Sequence, residues 1–205
     1  MANSGQDFIK AVKPLRWSPD AIYQVGVGKH YPEVKAFQKE WPEVPITGCE
    51  PHPSIYRRLT EKYPGKIYNI AMGEEDGSVD LYHRKKHKDG SSVFQRKYDP
   101  NRPLVKHRVT CGTLDTFFCD KIANALLWLD CEGSELRVLR GGKRFLKGVS
   151  VINVEMISEP PCDGWCSAKD VNNELIGNGF VLHSSHTHRD NHNQYDAIYV
   201  RSGMV

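Results

Sequence analysis

Short apolar runs alternate along this chain with longer stretches in which apolar residues recur every three or four positions. Five runs have the length and composition of strands: 21–28, 44–51, 66–73, 124–130 and 149–156. The last two are almost continuously apolar, which is typical of strands buried on both faces of a sheet. The stretches between the runs include helical patterns at 31–41, 53–63, 134–148 and 167–179. This alternation predicts an α/β fold with a mostly parallel sheet and crossover helices.

The C-terminal part departs from that alternation. After the helix at 167–179, the segments FVLHSS and YDAIYVRS read as two strands joined by a polar link of about ten residues. Two successive strands without a helix between them predict an antiparallel hairpin. A further alternating strand is predicted at 77–83, and the Gly141-Gly142 pair is expected to interrupt the helix of 134–148.

The segment 83–107 fits none of these patterns. It is rich in lysine and arginine and contains two aromatic residues, Phe94 and Tyr98, too few for a platform that stacks nucleic-acid bases. A solvated surface loop is one interpretation. The other is a lid over an active site that contacts an anionic or hydroxylated substrate, because long loops in compact domains are often functional. We expect it to be mobile and to contribute to the acceptor side.

Length and charge narrow the class of protein. A chain of 205 residues with 39% hydrophobic and 26% charged positions predicts one globular domain over 1–205, with its core at 20–201. The 28 basic and 25 acidic residues nearly balance, which gives no indication of nucleic-acid binding. No apolar run approaches a transmembrane helix and the polar start lacks a signal-peptide core, so we expect a cytoplasmic protein without membrane insertion. The six scattered cysteines suit reduced thiols.

The carboxyl ends of the predicted strands carry the candidate chemistry, since ligands of open parallel sheets bind there. The first strand ends in Gly26-Val27-Gly28, where a ligand can approach the backbone closely. The second strand ends in Glu50, 22 residues after Gly28, a spacing at which an acid can accept both hydroxyls of a ribose. The third ends at Asn69-Ile70-Ala71, suitable for the edge of a base. Together these ends predict a nucleoside site.

The fourth strand runs directly into three carboxylates, Asp130, Glu132 and Glu135. Glu135 lies in the first turn of the next helix, where an acid interacts favourably with the positive helix end. Asp130 and Glu132 are expected to face the same crevice, and their mutual repulsion requires relief by a proton, a cation or a positively charged ligand. A sulfonium and a metal ion both meet that requirement.

These residues carry a resemblance to a known family. The order VGVG, GCEPHPSIYRRL, NIAMGEEDGSVDLY, CGTLDTFF, LLWLDCEGSELRVLRGG and INVEM resembles the FkbM family of S-adenosylmethionine-dependent methyltransferases over about residues 20–156. The most specific piece is the D-x-E-G-x-E run from Asp130 to Glu135, supported by E-P-x-P at 50–53 and T-L-D at 113–115. The C-terminal hairpin is similar in layout to the end of those enzymes.

The resemblance implies a Rossmann-like class I methyltransferase fold, a mostly parallel seven-stranded sheet whose seventh strand is antiparallel. It implies S-adenosylmethionine as cofactor and methyl transfer to a hydroxyl of a sugar, glycolipid or small natural product. The cofactor-binding candidates are Gln24, Gly26, Gly28, Glu50, Pro51, Asn69, Ala71 and Asp130. The family usually has an acid where this chain has Gln24 and a glycine where it has His30, so this loop offers the methionine ammonium no charge.

Transfer to an alcohol requires a group that accepts its proton. Asp130, Glu132 and Glu155, the last at the end of the fifth strand, are the candidates. A divalent cation held by their oxygens would acidify the alcohol instead. The sequence leaves both routes open and assigns no residue to a metal.

Two other functions compete with methyl transfer. A nicotinamide-dependent oxidoreductase shares the GxG turn and the acid about 20 residues later, but the third glycine of that fingerprint is absent. A non-catalytic zinc-containing binding protein is suggested by a cluster of possible ligands near the C-terminus. That cluster comprises Cys162, Cys166, His183, His186, His188 and His192. Its ligands would have to come from a loop, a strand and a polar link.

Overall fold

A computed structural model of the chain describes residues 4–85, 87–95, 103–118, 122–188 and 191–204. The helices are α1 Ser4–Val12, α2 Pro32–Glu40, α3 Pro53–Leu59, α4 Leu114–Phe117, α5 Glu135–Arg140 and α6 Ala168–Gly177. The strands are β1 Ala21–Val25, β2 Ile46–Cys49, β3 Lys66–Tyr68, β4 Ala71–Met72, β5 Gly77–Arg84, β6 His87–Ser92, β7 Leu104–Gly112, β8 Ala125–Leu129, β9 Val149–Ile157, β10 Phe180–His188 and β11 Asn191–Arg201. Short 3₁₀ turns follow α1 at Lys13–Leu15 and α5 at Phe145–Gly148.

Seven strands form the main sheet in the order β3-β2-β1-β8-β9-β11-β10. The five strands from β3 to β9 are parallel, and β11 runs antiparallel to both of its neighbours. This arrangement confirms the predicted α/β class, the mostly parallel sheet and the C-terminal antiparallel hairpin. The chain leaves β1 toward β2 and later returns to the other side of β1 as β8, so the order of the strands switches between β1 and β8.

The two faces of the main sheet pack against different helices. Along β8, Leu127 and Leu129 belong to the core on one face, with residues of α5 and α6, whereas Leu126 and Trp128 belong to the core on the other. All five residues of β8 are buried. The strand is therefore apolar at every position because it is central, as its composition predicted.

The N-terminal helix α1 covers the second of these faces. Phe8 is 1% exposed and its ring makes edge contacts with Phe37 of α2 and Trp128 of β8. The sequence interpretation assigned no element to this segment, because a nine-residue helix offers little periodicity beyond two turns.

A second sheet of four strands, in the order β4-β7-β5-β6, contains most of the described residues of the segment expected to be a loop. The expectation of an irregular segment at 83–107 is wrong for the described residues, since β5 continues to Arg84, β6 spans 87–92 and β7 begins at Leu104. The polar composition predicted a loop because the apolar cluster that this sheet buries is small. The cluster is formed by Ala71, Leu81, Val109 and Cys111. Residues 86 and 96–102 lie outside the described residues.

Two other expectations are corrected in the same way. The run 66–73 is divided between β3 of the main sheet and β4 of the second sheet. The polar link expected between the last two strands is itself extended, since pairing continues to His188 opposite Asn191. Residues 189 and 190 lie outside the described residues. The expected interruption of the helix at Gly141 is confirmed, since α5 ends at Arg140.

The T-L-D run joins α4 to the segment after α5. Thr113 caps α4, and its side chain accepts a hydrogen bond from the Thr116 amide. The Asp115 carboxylate accepts the backbone N–H groups of Arg144 and Phe145 at 2.9 and 2.7 Å. These bonds give the T-L-D run a structural role, and the run lies away from the point where the strand order switches. The five described cysteines are free thiols, and none of the described helices is long and apolar enough to cross a membrane.

Candidate active site

A pocket opens at the carboxyl ends of β1, β2 and β8, where the strand order switches. It is lined by Val25, Gly26, Val27, Gly28, Glu50, Pro51, Ile55, Ile70, Ala71, Met72, Leu81, Lys88, Ser91, Val93, Asp130, Cys131, Glu132 and Ser134. Backbone hydrogen bonds join the three strand ends: Gly26 N–H donates to the Cys49 carbonyl and Asp130 N–H to the Val25 carbonyl, each at 3.0 Å. Ligands of open α/β sheets bind at such a switch.

Glycine stands at two positions after β1 for different structural reasons. Gly26 has φ 81°, and a Cβ there would lie 1.7 Å from the Asp130 carbonyl oxygen, so the two loops approach too closely for any side chain. Gly28 has φ 64°, but a Cβ there would meet no heavy atom within 4 Å. The space beside Gly28 belongs to the pocket, and a ligand can lie directly against the backbone.

Glu50 joins the glycine turn to the end of β2. Its carboxylate is 4% exposed and accepts Gly28 N–H at 2.9 Å on one oxygen and His52 N–H at 2.7 Å on the other. Glu50 therefore shapes the turn and also lines the pocket.

The third strand end supports that loop. The Asn69 side chain is exposed and donates to the Glu50 and Pro51 carbonyls at 2.8 and 3.0 Å, holding the chain after β2 in place. Asn69 itself is outside the pocket lining, whereas Pro51 and Ala71 line it. Apolar side chains of Ile55, Ile70 and Met72 complete this wall and suit the faces of an aromatic base.

Gln24 does not line the pocket. Its side chain is 1% exposed, donates to the Glu33 carboxylate of α2 and accepts the Tyr63 hydroxyl at 3.0 Å. The acid missing at the end of β1 is thus present nearby on α2. Burial raises the pKa of Glu33 to about 7. His30 is exposed and outside the lining. A role of Gln24 in cofactor binding stays a prediction.

The loop after β8 is shaped by Glu135. This buried carboxylate accepts Cys131 N–H at 3.0 Å and Gly133 N–H at 3.2 Å on one oxygen, and the Cys166 thiol at 3.2 Å on the other. Gly133 has φ 98°, and Trp165 packs on it so closely that a Cβ would lie 2.2 Å from the indole. Glu135 therefore organises the loop that presents Asp130 and Glu132.

Asp130 lines the pocket beside other acidic residues. Desolvation raises its pKa well above the usual range, and repulsion from Glu155, Glu132, Asp196 and Glu33 raises it further. This is the electrostatic cost predicted for clustered carboxylates. A cation bound in the pocket would offset that cost, and a proton accepted by Asp130 would do the same.

Glu155 stands apart from the other two candidate proton acceptors. Asp130 and Glu132 line the main pocket, whereas Glu155 lines a small neighbouring pocket with Glu135, Trp165 and Cys166. Its partner across the β9–β11 pair is Asp196. Glu155 acts on Asp130 through its charge, and direct contact with an acceptor stays a prediction.

The second sheet closes one side of the pocket. Lys88, Ser91 and Val93, from β6 and its end, line it. Buried Ser92 donates to the Glu132 carbonyl at 2.7 Å and accepts Phe94 N–H at 3.1 Å. Phe94 packs near Trp165, with Arg137 4.7 Å above its ring. Part of the basic segment thus forms a pocket wall, as a strand, and its contribution to the acceptor side stays a prediction.

Comparison with known proteins places the chain in a family. The methyltransferase FkbM domain matches residues 23–182, which is more than three quarters of the sequence. The chain belongs to the FkbM methyltransferase family. No curated protein matches it closely enough to count as a relative.

Solved structures of other methyltransferases share the fold of this FkbM-family chain. Magnesium protoporphyrin IX methyltransferase from Synechocystis PCC 6803, with bound SAM, superposes with a TM-score of 0.53 at 10% identity over 98% of this chain and 81% of that one. An S-adenosylmethionine-dependent methyltransferase from Clostridium acetobutylicum ATCC 824 gives 0.53 at 7% identity, covering 97% and 91%. At these identities the likeness shows the class I methyltransferase fold.

The zinc ligands suggested for the C-terminus are not brought together in the described part of this FkbM protein. Cys166 bonds to Glu135, while the His183 ring contacts the Ala11 carbonyl at 3.0 Å. The side chains of His188 and His192 lie outside the described residues. Instead, three histidines that the sequence analysis did not single out, His52, His83 and His107, lie together beside the pocket. Their separations of 31 and 24 residues match no metal-binding pattern.

Proposed function

We propose that this FkbM-family protein is an S-adenosylmethionine-dependent O-methyltransferase acting on a hydroxyl of a sugar, glycolipid or small natural product. The observation that carries the proposal is the pairing, in one pocket, of a buried acid at the end of β2 with two acids after β8, across the open glycine turn after β1. The family membership supplies the reaction class.

The residues of the pocket fit the cofactor part by part. The Glu50 carboxylate lines the pocket, where it can accept the two ribose hydroxyls, and the space beside Gly28 admits a ligand next to the backbone. Ile55, Ile70 and Met72 offer an apolar wall to the adenine. Asp130 and Glu132 supply negative charge for the ammonium and sulfonium, and the raised pKa of Asp130 shows that this charge is costly until a cation binds.

The chain then has to position an alcohol and accept its proton. S-adenosylmethionine supplies a methyl group on a positively charged sulfur, and alignment of the acceptor oxygen with it can supply several kcal/mol, up to about 7–11 kcal/mol in favourable cases. Asp130 is the preferred proton acceptor: the positive charge of bound cofactor favours its ionised form, and its neighbouring acids favour its taking up a proton again. Glu132 stands next to it on the pocket wall.

The acceptor side is the wall formed by the second sheet. Lys88 and Ser91 provide polar groups there, and Val93 and Leu81 provide apolar surface. A hydroxylated molecule with both polar and apolar faces matches this lining, which supports a sugar, glycolipid or natural product over a purely apolar acceptor.

Methyl transfer from tritiated S-adenosylmethionine to compounds of a cell extract tests the proposal. We expect a labelled product whose mass increases by one methyl group and whose methyl group is attached to oxygen. A labelled product methylated on nitrogen or carbon would contradict the O-methyl assignment while leaving the methyltransferase class intact.

A further inference from the structure

The three-histidine cluster joins two parts of the fold that are distant in sequence. His52 is the residue before α3, in the loop that follows β2, whereas His83 and His107 lie on β5 and β7 of the second sheet. His107 pairs with Leu81 across the two strands, so His83 and His107 are diagonal neighbours on the same face. His52 and His83 are 2% and 4% exposed, and His107 is half-buried.

The nitrogen atoms of these rings converge. One ring nitrogen from each histidine lies within 4.8 Å of the other two, and Nε2 of His83 is 3.1 Å from Nε2 of His107. Two imidazole nitrogens bound to one tetrahedral zinc at about 2.0–2.1 Å are about 3.3 Å apart. The spacing in the protein is therefore close to that of a pair of zinc ligands.

A backbone hydrogen bond sets the tautomer of His83. Its Nδ1 lies 2.9 Å from the Arg84 carbonyl, which can only accept, so Nδ1 carries the proton and Nε2 presents a lone pair toward His107. A backbone carbonyl that holds one ring nitrogen while the other faces a metal is the usual outer support of a histidine ligand.

His52 adds a second and independent observation. Its Nε2 is buried and has no hydrogen-bond partner among the described residues. A buried polar atom without a partner is costly, and a bound ion is one of the few explanations for it.

We propose that His52, His83 and His107 bind a transition-metal ion of the zinc type that clamps the second sheet to the loop after β2. Neutral imidazoles favour such ions over magnesium or calcium, and three histidines leave a fourth position for water or a small ligand. His52 Nδ1 accepts the Ser54 backbone N–H at 3.2 Å as the cap of α3, so binding a metal through Nε2 moves the ring proton to Nδ1 and gives up that bond. The Ser54 hydroxyl, also 3.2 Å from Nδ1, then accepts the proton.

The clamp would act on the pocket without being part of its lining. His52 follows the pocket residue Pro51, and His83 is two residues from the pocket residue Leu81. Holding these two segments together fixes the distance between the Glu50 loop and the acceptor wall. The exposed Lys88, bonded to the Ser54 hydroxyl at 3.1 Å, places one opposing positive charge nearby.

Zinc titration of untagged, chelator-stripped protein without cofactor tests the proposal separately from methyl transfer. The variants are His52→Asn, which keeps a good helix cap, His83→Gln, His107→Gln, and as control His186→Gln, an exposed histidine of β10. Circular dichroism checks that each variant is folded.

We expect calorimetry to show one zinc ion per chain in the wild type and in His186→Gln. Each cluster variant that folds should bind zinc at least tenfold more weakly. Bound zinc should raise the Tm of the wild type and the control, and cobalt should give the visible absorption of a tetrahedral site. Equal affinity in the cluster variants and the control, no zinc binding by the wild type, or a zinc-bound wild type with unchanged Tm would overturn the proposal.

Discussion

At the scale of single residues, the three acids of the D-x-E-G-x-E run have different tasks. Glu135 is buried and accepts hydrogen bonds from two backbone N–H groups and a thiol, whereas Asp130 and Glu132 line the pocket. Sequence alone could place Asp130 at a strand end and Glu135 at a helix start. It could not show that Glu135 orders the loop, because those bonds depend on a tight turn in which Glu132 and Gly133 both have positive φ.

Replacing the pocket acids by amides should separate transfer from stability. We expect Asp130→Asn and Glu132→Gln to reduce turnover by a factor on the order of 100 to 10,000, if either accepts the proton or supports the charge of the transition state. Tm should stay within a few degrees or rise, because the amide removes repulsion without creating a cavity.

The amide at position 130 should not lower stability, because the pKa of Asp130 is higher in the folded than in the unfolded protein. Between the two pKa values the folded state binds more protons, so stability falls as pH rises through that range, and the amide removes this loss. Steady-state rates and melting curves on the same preparations are the measurement, with Asp20→Asn, at the opposite edge of the sheet, as control. Amide variants that unfold yet stay fully active per folded molecule would assign these acids to the scaffold.

Glu33 provides a second pH-dependent test. Its folded pKa is raised to about 7, chiefly by burial, so the stability it contributes is complete at acidic pH and is lost as pH rises through neutrality. Glu33→Gln should flatten the dependence of the unfolding free energy between about pH 5 and about pH 8 by on the order of 1–3 kcal/mol. Urea unfolding at both pH values measures it, with exposed Glu40→Gln on the same helix as control. Identical slopes in the two variants would argue against a buried, neutral Glu33.

At the scale of elements, the turn after β1 depends on two glycines for different reasons. Gly26→Ala should destabilise the fold by several kcal/mol or prevent its accumulation, because Cβ would overlap the Asp130 carbonyl. Gly28→Ala should fold at a cost of about 1–2 kcal/mol for its left-handed conformation, yet lose affinity for S-adenosylmethionine. Thermal unfolding and calorimetric titration compare the pair. A Gly28→Ala protein with wild-type affinity would show that the ligand lies elsewhere.

The link between β6 and the acidic loop is a third element to test. Ser92→Ala leaves the Glu132 carbonyl and the Phe94 N–H without their side-chain partner, which should cost about 1–3 kcal/mol and lower turnover by loosening the pocket wall. The exposed Ser185→Ala on β10 serves as control. Denaturant unfolding and turnover of both variants decide it. Equal stability and turnover in the two variants would mean that β6 does not support the acidic loop.

Elements that depend on local pattern were predictable, and elements that depend on distant pairing were not. The apolar runs at 124–130 and 149–156 became β8 and β9, since central strands are recognisable from composition alone. The polar strands β6 and β10 were missed in whole or in part because one face of each lies against solvent or a small cluster, and their pairing partners are set by topology. The three histidines meet for the same reason, through the contact of the second sheet with the loop before α3.

At the scale of the whole molecule, the two sheets form different walls of the pocket. The main sheet brings the glycine turn, Glu50 and Asp130 to one switch point, and the second sheet forms the opposite wall through Lys88 and Ser91. This division makes the cofactor side predictable from the order of strands. The proposed acceptor side depends on a segment whose sequence resembles a loop, which is why the sequence predicted a cofactor more closely than an acceptor.

The most direct test of this account is calorimetric titration of S-adenosylmethionine into the wild type, Glu50→Ala and the exposed control Glu61→Ala. The account predicts one bound cofactor per chain in the wild type and the control. Glu50→Ala should bind about ten- to a hundredfold more weakly while remaining folded, because charge-assisted hydrogen bonds to the ribose are lost. Equal affinity in Glu50→Ala and the control, or a wild type that binds a nicotinamide dinucleotide and no S-adenosylmethionine, would contradict it.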